Sequence, residues 1–205
     1  MNKIKHIIFD LGGVILNIKY ENVIQNFKRI GIKDPSSFYN QRHQKKVFDL
    51  LETGKIESPV FIKEISRHCK SSDKEIIKAW NSIILDLPEK RVKRLKELSK
   101  TYSLYLLSNT NEIHIDHIKK RLGMRKYLDL YNTFDRVYYS HKIGLRKPNI
   151  EAFELVLNEN KLNAKETLFI DDSSQHTISA KKLGINTYHI DKNEDIINLF
   201  PDIIQ

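Results

Sequence analysis

The fold class is indicated first by residues 5–10, KHIIFD, which run directly into Leu11-Gly12-Gly13. A short apolar run that ends at a glycine pair is typical of a buried strand followed by a tight turn. Residues 102–109 (YSLYLLSN), 134–140 (FDRVYYS), 167–172 (TLFIDD) and 187–191 (TYHID) have a similar strand-like pattern. We therefore predict five strands that begin near the N-terminus and resume in the second half of the chain.

Helix-like spacing of apolar residues separates the later strands. The pattern predicts one helix over residues 112–128, one that starts near Pro148, and one that is closed by Gly184. Strands that alternate with helices favour right-handed crossovers and a parallel sheet covered on both faces. Residues 20–100 hold no strand-like run and predict a cluster of short helices. We predict a doubly wound α/β fold with a small helical insert after the first strand.

Composition and charge limit the function classes that fit. The chain of 205 residues can bury one core with a small appendage, and its one cysteine, Cys69, excludes an internal disulfide. No apolar run approaches the ~20 residues that span a bilayer, so we expect a cytoplasmic protein without membrane contact. The net charge of +9 is spread along the chain, which argues against a nucleic-acid partner. We expect a monomer or weak homodimer that binds a small anionic metabolite.

Reactive side chains stand where the predicted strands end, which is where doubly wound sheets bind ligands. They are Asp10, Ser108, Asn109, Asp171 and Asp172, with Lys147 in the loop after residues 134–140. Clustered carboxylates raise one another's pKa unless a cation lies among them, and Mg²⁺ commonly takes a few carboxylates plus a phosphate oxygen. The set predicts a Mg²⁺ site in which one carboxylate attacks phosphorus, Lys147 neutralises charge and Ser108 helps to hold the phosphate.

These residues resemble the four motifs of the haloacid dehalogenase-like superfamily of hydrolases, and the resemblance covers essentially the whole chain. The matching segments are Asp10-Leu11-Gly12-Gly13-Val14, Ser108 in Leu106-Leu107-Ser108-Asn109-Thr110, Lys147 in Arg146-Lys147-Pro148, and Asp171-Asp172 in Phe169-Ile170-Asp171-Asp172-Ser173. Four motifs in the right order are specific, whereas one alone is weak. Most members of the superfamily are phosphatases.

The resemblance implies a Rossmann-like catalytic core, residues 1–16 and 96–205, and a helical cap, residues 17–95, that closes over the site. It implies Asp10 as the nucleophile with Lys147 beside it, and Mg²⁺ held by Asp10, Asp171, Asp172 and the Gly12 carbonyl. Implied substrate contacts are Ser108, Asn109, Lys147, Gly12 and Glu52, the last in the cap loop Glu52-Thr53-Gly54-Lys55-Ile56-Glu57. Within the capped subfamily I, the sequence is most similar to bacterial α-D-glucose-1-phosphate phosphatases, which favours a sugar phosphate such as a hexose 1-phosphate.

Gly12 departs from the family pattern, because most phosphatases of the superfamily carry there an aspartate that serves as general acid and base. General acid catalysis is typically worth about 10²–10⁴-fold. Three substitutes are open: a substrate with a better leaving group, an acid from cap or loop such as Glu52 or His141, or a water in the space that Gly12 leaves. A metal-free 2-haloacid dehalogenase and a catalytically weak binding or regulatory protein are the alternative functions.

Other conspicuous residues have simpler interpretations. His114 and His117 have a one-turn helical spacing, but no further zinc ligand is near in sequence, so we expect exposed helix histidines. Trp80 is expected in the core of the insert.

Overall fold

The computed structural model describes residues 3–39 and 45–199. Its five strands form one parallel sheet in the order β3-β2-β1-β4-β5. The strands are β1 His6–Phe9, β2 Ser103–Ser108, β3 Arg136–Tyr139, β4 Thr167–Asp171 and β5 Asn186–His189. Four strands lie within their predicted segments, and β5 starts one residue before its own. The predicted doubly wound α/β fold is confirmed.

Eleven helices are found in the described ranges. They are α1 Tyr20–Arg29, α2 Pro35–Phe38, α3 Lys46–Glu52, α4 Ser58–Ser66, α5 Asp73–Asn81, α6 Glu89–Leu98, α7 Glu112–Leu122, α8 Met124–Tyr131, α9 Ser140–Ile143, α10 Ile150–Glu159 and α11 Ser174–Lys181. The first six lie between β1 and β2, as the strand-free segment predicts. None of the helices in these ranges combines the length and the apolar character needed to cross a bilayer.

The prediction of a single helix over residues 112–128 is wrong, because Gly123 interrupts the helical conformation. This residue has φ 75° and ψ 151°, so α7 ends at Leu122 and α8 starts at Met124. Only glycine adopts such a conformation without strain. The apolar spacing on both sides of the break is helical, which is why periodicity alone did not reveal two helices.

The strands bury both faces of the sheet, and alternate residues of β1 show how. Ile7 and Phe9 face one apolar cluster, whereas Ile8 faces a second cluster that contains Phe153 of α10 and Phe169 of β4. Alternation of side chains along a strand produces this division. The sheet is therefore covered on both sides, and only its strand ends are open to ligands.

The inserted helices are held by an aromatic core around Trp80, as predicted. Its ring is fully buried and stacks on Phe27 with a centroid separation of 6.2 Å, and Phe48 and Phe61 lie at 5.0 and 5.7 Å. This core is continuous with the apolar cluster on one face of the sheet. The proposed bounds of a cap, residues 17–95, and of a core, residues 1–16 and 96–205, stay a prediction.

The chain order places a ligand crevice beside β1. From β1 the chain moves outward to β2 and β3, then returns to β4 on the other side of β1. Loops that leave in opposite directions from β1 and β4 create a crevice at their carboxyl ends, where ligands bind in open α/β sheets. Phe9 is level with Leu106 of β2 and Ile170 of β4, so the residues that follow these strands meet at one edge.

Candidate active site

Asp10 follows β1 at the middle of this edge. Its backbone N–H donates to the carbonyl of Ile170 at 2.9 Å, which continues the sheet pairing by one residue. The residue is 7% exposed, and Oδ1 accepts a hydrogen bond from the backbone N–H of Leu11 at 2.7 Å. Because β1 lies between β2 and β4, groups from both neighbouring strands can reach the carboxylate.

Lys147 is the cation of the site. It lies in the loop between α9 and α10, is fully buried, and places Nζ 2.9 Å from Asp10 Oδ1 and 2.6 Å from Asp171 Oδ2. Burial alone would lower the pKa of Lys147, but the two carboxylates outweigh burial and raise the pKa. The ammonium group therefore stays protonated and joins the ends of β1 and β4.

Asn109, just after β2, fixes the backbone of Lys147. Its Nδ2 donates to the Lys147 carbonyl at 2.8 Å, and its Oδ1 accepts from the Lys147 N–H at 2.9 Å. Both ends of the Asn109 amide are thus hydrogen-bonded to Lys147. The sequence suggested a substrate contact for Asn109, and the structure shows that its side chain positions the lysine. Ser108 is 2% exposed and lines the same cavity as Asp10.

Asp171 and Asp172, at the end of β4, complete an acidic cluster with Asp10. Each of the three offers a carboxylate oxygen, and these oxygens lie within 4.8 Å of one another. Burial raises the pKa of Asp172 to about 7, with Asp10 and Asp171 adding to the rise. Burial also raises the pKa of Asp10, although Lys147 opposes it. Burial favours neutral Asp171 as well, but Lys147 and His176 prevail and lower its pKa.

The cluster fits a divalent cation. Lys147 supplies one positive charge to three carboxyl groups. Burial, and then Asp10 and Asp171, raise the pKa of Asp172, so its ionised form lacks full compensation. Three carboxylate groups at this spacing are the oxygen ligands that Mg²⁺ uses together with water and phosphate. In the described part of the chain, this is the one group of three or more acidic, histidine or cysteine side chains close enough to share an ion.

The two glycines after Asp10 have different surroundings. At Gly13, φ is 78° and an added Cβ would lie 2.3 Å from Oδ2 of Asp172, so the backbone passes directly against that carboxylate. At Gly12, an added Cβ would lie 3.1 Å from Cδ1 of Ile18. Ile18 therefore occupies the space into which a side chain at position 12 would extend. The metal contact expected from the Gly12 carbonyl stays a prediction.

A cavity lies between the acidic cluster and the inserted helices. Asp10, Gly12, Ser108, Asn109, Thr110, Asp172, Ser173 and His176 line it near the strand ends. A second group of lining residues, called the outer wall, comprises Tyr20, Tyr39, Glu52, Ile83 and Ile84 from the insert and His114, Ile118 and Arg146 from residues 96–205. Glu52, at the end of α3, is 5% exposed and lies 3.0 Å from Nη2 of Arg146. Arg146 also pairs with Asp49 of α3. Glu52, the predicted substrate contact, thus lines the cavity. Its helix, α3, is held by the ion pairs to Arg146.

Of the three histidines named from the sequence, His117 is half-buried, and His114 and His141 have other surroundings than expected. His114 is buried rather than exposed, because its ring stacks on Trp80 at 4.6 Å and its Nδ1 lies 2.9 Å from Oδ1 of Asn81. Burial lowers its pKa to about 3. His141 stacks on Tyr139 at 5.9 Å and does not line the cavity described above. It is therefore not placed to act as the substitute acid.

Three cavity residues were missed by the sequence analysis: Tyr20, Arg146 and His176. Arg146 was quoted there only as the neighbour of Lys147, and His176 carries the one available signal, a position one turn into the helix after Asp171-Asp172. Tyr20 lies in a segment with helix-like spacing and has no signal of its own. Its approach to the site depends on the path of the chain between β1 and α1.

Comparison with known proteins places these residues in context. A family model described as haloacid dehalogenase-like hydrolase matches residues 7–190. A D-ribitol-5-phosphate phosphatase of Bacteroides thetaiotaomicron is 30% identical over 194 residues, which is 94% of each protein. A glyceraldehyde 3-phosphate phosphatase of Methanocaldococcus jannaschii is 30% identical over 182 residues, 87% of this chain and 72% of the relative.

A solved structure has nearly the same architecture. The chain is similar to a HAD family enzyme from Bacteroides thetaiotaomicron in complex with magnesium and inorganic phosphate, with a TM-score of 0.86 and 35% identity over 97% of this chain and 100% of that one. The similarity extends over both the sheet and the inserted helices.

Proposed function

Because the chain belongs to the haloacid dehalogenase-like hydrolase family, we propose that it is a Mg²⁺-dependent phosphatase of a small phosphorylated metabolite and acts through an aspartyl-phosphate on Asp10. Phosphoric monoester hydrolysis is the activity named for the curated relatives compared above. The observation that carries the proposal is the meeting of Asp10 with Lys147, Asp171 and Asp172 at the crevice between β1 and β4.

Asp10 is the nucleophile in this proposal. The Leu11 N–H and Lys147 Nζ both bind its Oδ1, at 2.7 and 2.9 Å, and thereby fix the orientation of the carboxylate. As Asp10 forms a bond to phosphorus, the bond from phosphorus to the leaving oxygen breaks, and water later hydrolyses the aspartyl-phosphate to regenerate the carboxylate. Ser108, at the end of β2, contributes a hydroxyl to phosphate binding.

Lys147 has two tasks. Its ammonium group holds Asp10 and Asp171 together in the resting site, and it supplies positive charge where negative charge accumulates during transfer. Asn109 keeps the lysine in place through both of its backbone hydrogen bonds. Asp10, Asp171, Asp172 and the Gly12 carbonyl would hold Mg²⁺, which when bound neutralises charge on phosphate oxygens.

The substrate in this proposal is a sugar or polyol phosphate. D-ribitol 5-phosphate and glyceraldehyde 3-phosphate are the compounds in the names of the two relatives, and a hexose 1-phosphate is the expectation from the sequence. Glu52 and Arg146 give the cavity wall charged groups that suit hydroxyl-bearing leaving groups. The inserted helices act as the cap over the site. A cytoplasmic location and a monomer or weak homodimer stay predictions.

A metal-free 2-haloacid dehalogenase is disfavoured by the acidic cluster. Such a site has no use for a second and third carboxylate. Burial raises the pKa of Asp172 to about 7, and the neighbouring Asp10 and Asp171 add to the rise. Release of chloride from 2-chloropropionate in excess chelator would favour the dehalogenase. Binding of Mg²⁺ without turnover of any phosphorylated metabolite would favour a regulatory protein.

The test is a phosphate-release screen with the purified full chain. D-ribitol 5-phosphate, glyceraldehyde 3-phosphate and hexose 1-phosphates are assayed with Mg²⁺ and with a chelator, and Asp10→Asn is compared with Asp116→Asn, a change at an exposed ion pair on α7. We expect release that requires Mg²⁺ and is lost only in Asp10→Asn. Full activity of Asp10→Asn would show that the nucleophile is assigned wrongly.

A further inference from the structure

The site lacks an acid at position 12, and two of the substitutes suggested by the sequence are not available. A water in the gap left by Gly12 would compete with Ile18, whose Cδ1 lies 3.1 Å from the place of a Cβ at that position. Glu52 is paired with the guanidinium of Arg146 at 3.0 Å, and a carboxylate so paired accepts hydrogen bonds rather than donating them. His141 does not line the cavity.

We propose that the hydroxyl of Tyr20 donates a hydrogen bond to the leaving oxygen of the substrate and so takes over part of the task of the missing acid. This inference rests on the proposed phosphatase function. It assigns to α1, the first helix after the nucleophile, a direct part in the reaction.

The position of Tyr20 is the first support. Tyr20 begins α1, two residues after Ile18, so one short segment fills the gap at Gly12 and also delivers the phenol to the cavity. Its ring stacks on Tyr39 with a centroid separation of 5.8 Å and an angle of 28°, which fixes the ring plane. Its hydroxyl makes no hydrogen bond within the described part of the chain.

The surroundings of Tyr20 keep the proton on its oxygen. Burial raises the pKa of the phenol, and the carboxylates of Asp172, Asp10, Glu52 and Asp171 raise it further. These four groups surround the reaction centre, so the phenol lies within their electrostatic reach. The hydroxyl consequently keeps its proton at neutral pH and can donate a hydrogen bond.

The geometry of phosphoryl transfer indicates which wall must supply a donor. The attacking and leaving oxygens lie roughly in line on opposite sides of phosphorus. With Asp10 at the sheet edge, the leaving oxygen is on the side of the inserted helices. The polar residues of that wall are Tyr20, Tyr39, Glu52, His114 and Arg146.

His114 and Arg146, which belong to the same wall, also bind other residues. Nδ1 of His114 donates to Oδ1 of Asn81, which leaves Nε2 as an acceptor in the neutral ring. Arg146 directs its two terminal nitrogens to Asp49 and Glu52, and its Nε is buried without a hydrogen-bond partner among the described residues.

Tyr39 is the remaining hydroxyl of this wall, and its environment differs from that of Tyr20. The charged groups that act on its pKa are Glu52 and Arg146, whereas Asp10 and Asp172 act on Tyr20. Of the two tyrosines, Tyr20 is the one whose pKa is affected by the acidic cluster.

The phenol acts without giving up its proton. In the transition state it stabilises the negative charge that grows on the leaving oxygen as the bond to phosphorus breaks, and the departing alkoxide takes its proton from water. The hydroxide so formed is neutralised when a second water cleaves the aspartyl-phosphate and releases hydrogen phosphate. The sum is one phosphate ester and one water converted to one alcohol and one hydrogen phosphate.

The experiment compares kcat/KM for D-ribitol 5-phosphate and for p-nitrophenyl phosphate in the wild type and Tyr20→Phe. Loss of one hydrogen bond to a developing charge should lower kcat/KM for the alkyl ester by about 10- to 100-fold. The aryl ester, whose leaving group needs little donation, should lose less than about threefold. The pH dependence of the rate near neutral pH should have the same shape in both proteins, because the raised pKa of Tyr20 keeps the phenol protonated there.

Tyr39→Phe is the matched control, since it removes a hydroxyl from the neighbouring ring of the same wall. It should change the two substrates by similar factors, and thermal melting of both variants reports folding independently of activity. Equal losses of Tyr20→Phe on both esters, or no loss on the alkyl ester, would overturn the role of Tyr20 while leaving the phosphatase intact. Absence of phosphate release by the wild type from every ester would contradict the proposed function itself.

Discussion

Replacing Lys147 with methionine would expose how the acidic cluster is held together. Methionine has a similar length and suits a fully buried position, but it removes an ammonium group that lies 2.9 Å from Asp10 and 2.6 Å from Asp171. Removing one partner of a buried ion pair costs about 3–5 kcal/mol, because the other charge stays buried without compensation. Domains are typically stable by only about 5–15 kcal/mol, so the loss would be a large share of the total.

Urea denaturation followed by circular dichroism measures this effect. In a chelating buffer we expect Lys147→Met to lose about 3–5 kcal/mol of unfolding free energy, whereas Lys93→Met, at an exposed position of α6, should stay within about 0.5 kcal/mol of the wild type. Added Mg²⁺ should restore part of the loss, because a ligand of the native state stabilises it. Equal stability of Lys147→Met and Lys93→Met in chelator would refute the charge balance described for the site.

Two further substitutions test the close approach at Gly13 and the burial of His114. Gly13→Ala should lose about 1–3 kcal/mol of unfolding free energy. It should also bind Mg²⁺ more weakly in isothermal titration, because its Cβ would lie 2.3 Å from Asp172. The control Gly184→Ala, at φ 79° with open space around it, should lose stability but keep its Mg²⁺ affinity. The pKa of His114 in the folded protein, about 3, lies below the usual histidine value of 6.5. The unfolded chain therefore binds the proton first, and the free energy of unfolding falls as the pH drops below 6.5. When the pH is lowered from 7.5 to 5.5, urea titrations of the wild type should show a loss of unfolding free energy about 1.4 kcal/mol larger than that of His114→Gln. Equal losses in the two proteins would contradict the buried neutral ring.

The strands and the residues at their ends were predictable because each prediction used a local signal. KHIIFD and TLFIDD are apolar runs that end in carboxylates, and parallel pairing necessarily brings such ends to one edge. Lys147 was found only through its motif, since a lysine before a proline has no burial signal by itself. The structure adds that it is fully buried between Asp10 and Asp171.

What the sequence did not reveal depends on contacts between distant segments. The engagement of Asn109 with the backbone of Lys147 joins residues 38 positions apart. His114 was expected at the surface, but Trp80 of α5 covers it, and no periodicity within α7 reports a ring from another helix. The division into α7 and α8 depends on the backbone angles of Gly123, which composition does not fix.

Arg146 and Lys147 are adjacent in sequence yet serve opposite partners. Arg146 binds Asp49 and Glu52 on α3, while Lys147 reaches down to the acidic cluster. If α3 moved away from the sheet, either both ion pairs of Arg146 would break or the backbone of the adjacent Lys147 would shift with Arg146. In the proposed phosphatase, opening of the inserted helices would therefore also disturb the position of the lysine charge beside Asp10.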